Sequence, residues 1–147
     1  MKIDFRELFA KNPLLILTPE DIGPSAREFI SKYGSYMREV GIEVKQGNGH
    51  VIFPSRTAPV RQEHTDMFEE WLAITDKLRV RTVLAMNLYT DRWFGRDPKY
   101  QSISSRGNAV THQVCANREE MWQYGAEIVK ELGSYPIQEI ILFLSLI

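Results

Sequence analysis

Apolar residues recur along the chain in two rhythms. Leu14-Leu15-Ile16-Leu17 is a short unbroken run closed by Thr18-Pro19, the form of a buried strand. Ala26, Phe29, Ile30, Tyr33, Met37 and Val40 follow at steps of three and four, which predicts one apolar helical face ended by Gly41. Ile42 to Lys45 begins a second strand, and the glycine-rich turn Gln46-Gly47-Asn48-Gly49-His50 leads into Val51-Ile52-Phe53-Pro54-Ser55. Val60, His64, Met67, Phe68, Trp71, Leu72 and Leu78 then mark a second helix, and Thr82 to Tyr89 a third strand. Thr90 to Ala116 shows no period and reads as a long loop. Asn117-Arg118-Glu119-Glu120 has the form of a helix start, with an N-cap side chain and a glutamate three residues on. Trp122, Ile128, Val129 and Leu132 give that helix its apolar face up to Gly133, and Glu139 to Ile147, after Pro136, is the fourth strand.

Strands alternating with amphipathic helices predict an α/β fold with a parallel sheet and right-handed crossovers. Four strands and three crossover helices match half of a (β/α)8 barrel or a small open, doubly wound sheet, in a single domain spanning residues 1–147. A full barrel needs about 250 residues.

Composition narrows the function classes. A net charge of −1 gives no basic surplus for phosphate, so neither nucleic acid nor an anionic membrane is an expected partner. A single cysteine, Cys115, precludes an internal disulfide and suits a reducing, cytoplasmic setting. The longest apolar run, from Ile140 to Ile147, is far below the roughly 20 residues that span a bilayer. Met1 to Glu7 lacks the apolar core of a secretion signal.

The turn Gln46 to His50 with Val51-Ile52-Phe53-Pro54-Ser55, the strand Thr82 to Tyr89, and Val114-Cys115-Ala116-Asn117 before a helix resemble, in order and spacing, the N-terminal half of glycoside-hydrolase-like (β/α)8 barrels. The resemblance covers about residues 42 to 143 and implies a carbohydrate ligand. It also implies an Asp near the carboxyl end of strand four, where this chain has Phe143 or its neighbour. No carboxylate lies between Ile140 and Ile147. A glycosidase needs two carboxylates flanking one glycosidic bond, so the resemblance implies ancestry more securely than activity. The alternative is a non-enzymatic structural or assembly module that kept the fold.

Candidate site residues in such folds stand beyond the carboxyl ends of the strands, where the loops converge. After the first strand these are Glu20 and Asp21, candidate catalytic carboxylates that would equally favour a helix N-terminus. After the second come Gln46, Asn48 and His50, which could hydrogen-bond sugar hydroxyls or simply make a tight turn. Asn87, Tyr89, Asp91 and Trp93 alternate past the third strand, placing an amide, a carboxylate for catalysis and an aromatic platform on one side. His112, in the long loop, completes the candidate ligand set. The histidines His50, His64 and His112 show no metal-ligand spacing, and no cofactor motif is present. The long loop is expected to lie over the carboxyl ends of the strands, anchored by Trp93 and Phe94, with Gly95 to Asn108 its most mobile part. In the strand that begins at Glu139, the run Ile140 to Ile147 carries no charge and no proline and is an unguarded edge, so a homodimer is expected, with Leu144→Lys making it monomeric.

Overall fold

A computed structural model describes residues 3–143. Four parallel strands, β1 (Leu15–Leu17), β2 (Glu39–Lys45), β3 (Arg81–Asn87) and β6 (Glu139–Phe143), form a sheet in the order β1-β2-β3-β6. The crossover helices are α3 (Ala26–Tyr33), α4 (Gln62–Lys77) and α5 (Glu119–Leu132). All three pack on one face of the sheet. Phe29 of α3 meets Trp71 of α4, with ring centroids 6.0 Å apart. Thr82 of β3 bonds Thr75 of α4, and Gly125 of α5 sits where a Cβ would strike Leu88 at 2.8 Å. A doubly wound sheet would carry helices on both faces. Sequential strand order with helices on one face is half of a (β/α)8 barrel, which decides between the two architectures that the strand–helix alternation left open.

The opposite face carries Ile16, Gly41, Glu43, Val83, Ala85, Ile141 and Phe143, as the cross-strand registers Ile16–Gly41, Glu43–Ala85, Ala85–Ile141 and Asn87–Phe143 require. Gly41 has no substitute here, because a Cβ would lie 2.7 Å from the Ile16 side chain. At the amino end of this face Arg81 spans two neighbouring strands, 2.8 Å from Glu39 and 3.0 Å from Glu139.

Several boundaries differ from the sequence reading. The first long helix stops at Tyr33 and runs through a 3-10 turn to Tyr36, so Val40 and Gly41 belong to β2. Gly34 and Ser35 are poor helix formers, and parallel pairing with β1 claims Val40 and Gly41. Two helices carry no strong period in the sequence, α1 (Phe5–Lys11), capped by Asp4, and α2 (Pro19–Ile22). The segment Thr90 to Ala116 is not structureless. It holds two 3-10 turns and an antiparallel hairpin of β4 (Gln101–Ile103) and β5 (Ala109–Val114), with Gly107 at φ +81° in its turn. The helix α5 begins at Glu119 with Arg118 at its N-cap and no side-chain cap, so Asn117 does not cap it. The fourth strand is seen from Glu139 to Phe143; Leu144 to Ile147 lie outside the described residues.

Candidate functional site

The carboxyl ends of β1 and β2 bring one polar cluster together. Thr18 leaves β1 and caps α2: its hydroxyl accepts from the Asp21 N–H at 3.2 Å, while the Asp21 carboxylate accepts from the Thr18 N–H at 2.9 Å. Asp21 is thereby held in a reciprocal cap. Glu20, next to it, is 53% exposed and accepts from Arg61 Nη1 at 2.5 Å and from Gln46 Nε2 at 2.9 Å. Arg61 Nη1 also donates to Gln46 Oε1 at 2.5 Å, and its Nε to Glu63 at 3.0 Å. Burial pushes the Glu20 carboxyl up, but the Arg61 and Gln46 hydrogen bonds outweigh it, and Glu20 stays below the usual range. His64 Nε2 lies 4.0 Å from Glu20, and neither ring nitrogen finds a hydrogen-bond partner among the described residues.

Glu43 adds a second accessible carboxyl. It stands on the helix-free face of β2, half-buried, and its pKa is raised first by loss of solvent and then by the negative charges of Glu20 and Asp21. A carboxyl pushed up beside one held down is the arrangement by which a pair of acids divides donor and acceptor roles. Sequence reasoning passed over Glu43. The available signal was period two: an acidic residue inside Val40-Gly41-Ile42-Glu43-Val44, where its neighbours face the core.

A bulge separates Glu43 from the next polar residue. The register with β3 shifts between Glu43, level with Ala85, and Lys45, level with Met86. The extra residue turns Lys45 to the helix side. There its ammonium is fully buried, 2.7 Å from Asp91, 2.6 Å from the Asn87 carbonyl and over the Tyr124 ring at 5.8 Å. Desolvation pulls the Lys45 pKa down, against the pull of Asp91 in the other direction. Asp91 also accepts from the Phe94 N–H at 2.8 Å. Gly49, at φ +91°, passes so close that a Cβ would lie 2.2 Å from the Asp91 carboxylate. Tyr124 is raised far above its ordinary value, chiefly by burial and further by the Asp91 charge. Asp91 therefore faces Lys45 and not an open cleft with Glu20.

The aromatic residues are similarly engaged. Phe94 is stacked between Tyr100 and Tyr124, each 4.6 Å away, and Trp93 lies between Tyr124 at 5.9 Å and the Arg96 guanidinium at 4.1 Å. Trp93 and Phe94 thus anchor the base of the long segment on α5. The Arg92 N–H bonds the Gly47 carbonyl at 3.1 Å, which ties the same base to the end of β2. Trp93 stays half-buried and, with Phe94, Arg96, Asp97, Tyr100 and Tyr124, lines a cavity of about 250 Å³. Of the remaining candidates, the Asn87 side chain accepts from the Thr90 N–H at 2.9 Å, and Asn48 accepts from the His50 N–H at 2.9 Å within a tight turn. His50 Nδ1 is buried without a partner among the described residues. Tyr89 Oη is 3.4 Å from Ser102 and from Gln113, and His112 is half-buried on β5, away from the Glu20 cluster in the chain's order of elements. Phe53-Pro54-Ser55 is a packing device: Phe53 is buried against Phe68 and Tyr135, and Ser55 donates to Glu131 of α5 at 2.8 Å. No group of three or more potential metal ligands converges among the described residues.

The half barrel with its candidate site at the carboxyl ends defines the class to which solved structures can be compared. A hypothetical protein from Ruminiclostridium thermocellum is similar over 87% of this chain and 74% of its own, with a TM-score of 0.71 and 14% identity. α-L-Fucosidase isoenzyme 2 from Paenibacillus thiaminolyticus is similar over 89% of this chain and 23% of its own, with a TM-score of 0.74 and 16% identity. A GH29 α-L-fucosidase from Bacteroides thetaiotaomicron is similar over 97% of this chain and 42% of its own, with a TM-score of 0.58 and 14% identity. The chain spans less than half the length of these fucosidases. At such identities the likeness shows the fold: a glycoside-hydrolase-like half barrel. No protein-family model matches the chain, and no curated protein sequence matches it.

Proposed function

We propose that this half barrel binds a saccharide at the carboxyl ends of β1 and β2, with Glu43 and Glu20 as the carboxyls that meet it and Arg61, Gln46 and His64 as their hydrogen-bonding surround. The observation that carries this reading is the hydrogen-bonded cluster of Glu20, Gln46 and Arg61 at the strand ends where barrel sites sit, with the half-buried Glu43 carboxyl on the neighbouring strand raised by burial and by the charge of Glu20. The fold's likeness to α-L-fucosidases supports a sugar as the ligand class, with L-fucose the first to try. If hydrolysis occurs, Glu43 donates the proton to the leaving oxygen and Glu20 serves as base or nucleophile. Asp91 holds the loop through Lys45 and takes no part.

A module without catalysis is the second reading. It is favoured by the absence of a carboxylate from Ile140 to Ile147, at the carboxyl end of strand four, and by the salt bridge that holds Asp91. A screen of aryl glycosides against wild type, Glu43→Gln and Asp91→Asn separates the two. Hydrolysis lost in Glu43→Gln supports the enzyme reading, and no turnover with saccharide binding retained supports the module. Equal hydrolysis by wild type and Glu43→Gln would remove Glu43 from any mechanism.

A further inference from the structure

We propose that a second copy of this chain closes the half barrel, the β6 edge of each copy taking the β1 edge of the other, so that Glu43 from both copies faces one mouth. The statement about the mouth rests on the saccharide reading above; the closure does not.

The sheet ends on β1 at one side and β6 at the other, and neither outer edge is paired among the described residues. Both strands run in the same direction, so a copy rotated about a two-fold axis along the strands offers β1 to β6 in the parallel sense at both seams. The register follows from barrel geometry. Leu15 is level with Val40 and Thr82, and since Val83 is level with Glu139, that line reaches Gln138. A closed eight-stranded barrel returns about eight residues out of register after one circuit, so each of two identical halves contributes about four. An offset of that size sets Leu15 of the second copy beside Leu142, and Ile16 beside Phe143.

These are the residues that need covering. Leu142 and Phe143 are 42% and 36% exposed, and Leu15 and Ile16 are half-buried. Glu43 shares the helix-free face with Ile16, Ile141 and Phe143, which becomes the barrel interior on closure. The two-fold axis then places the second Glu43 on the opposite wall in the same layer, and the single Glu43 of one copy becomes a pair.

The test uses the whole chain in a Cys115→Ser background. Light scattering at micromolar concentration is expected to give twice the 17.1 kDa chain mass, and Leu142→Lys to give a monomer with an unchanged far-UV circular dichroism spectrum. Ile16→Cys together with Phe143→Cys is expected to form a dimer-linking disulfide under mild oxidation. Within one chain β1 and β6 are three strand spacings apart, about 14 Å, too far for a disulfide. A monomer at every concentration would overturn the closure, as would a dimer cross-linked by Phe143→Cys alone, which would mean β6 against β6. A cross-linked dimer that binds no saccharide would remove the ligand and uphold the closure. A monomer that binds saccharide would do the reverse.

Discussion

Glu43 is a half-buried carboxyl held above its ordinary pKa by loss of solvent and by the charges of Glu20 and Asp21. A carboxyl whose folded pKa lies above its unfolded value of about 4.5 stabilises the fold fully below that value and loses that contribution as pH rises through the folded pKa. Replacing it with glutamine removes the cost of holding a charge there. Glu43→Gln is therefore expected to raise the melting temperature relative to wild type at pH 7 and to change it little at pH 4; equal differences at both pH values would contradict the assignment. Lys45 and Asp91 behave differently because both are buried. Removing either partner alone strands a charge, so Lys45→Met and Asp91→Asn should each cost about 3–5 kcal/mol in urea unfolding. The double variant should cost clearly less than their sum. A simple sum would mean that the two side chains are not coupled. The sequence placed Asp91 correctly past the end of β3 but could not show its partner, because Lys45 reaches it only through a one-residue bulge in β2. Glu20 and Gln46 were legible for the opposite reason: both follow strands directly, and the parallel register brings those ends together.

At the scale of elements, the loops at the carboxyl ends are held by fitted backbone and stacked rings. Gly49 combines a left-handed φ with contact against Asp91, so Gly49→Ala should destabilise by well over the roughly 1 kcal/mol that such a backbone position alone costs. Gly107, at φ +81° in the hairpin turn with open space around it, isolates that backbone cost, and Gly107→Ala should show it alone. Equal losses in the two variants, measured by chemical denaturation, would refute the contact with Asp91. The alternating strands and helices were readable because burial on one face imposes a period. The hairpin from Gln101 to Val114 was not, since both strands are short, only Gln113 and Val114 in them are buried, and they carry no apolar alternation. The end of α3 was misplaced for a related reason: Met37 and Val40 are buried at helical spacing although the chain has already left the helix.

For the whole molecule, the helix-free face of the sheet is the main consequence of the fold. All three crossover helices lie on the other side, and Glu43 stands on the face that a complete barrel would enclose. The Ruminiclostridium thermocellum protein shares this fold over most of both chains, so that chain is only modestly longer than this one. The fucosidases embed the same half in much longer chains. Saccharide recognition at the ends of β1 and β2 is tested most directly by titrating isotope-labelled protein with L-fucose and other monosaccharides while following the backbone amide resonances. The account predicts shifts concentrated in Thr18 to Ile22, Glu43 to His50 and Arg61 to His64, and their loss in Glu43→Gln. Shifts centred instead on Trp93 to Tyr100 and Tyr124, or no saturable shift with any sugar, would contradict it.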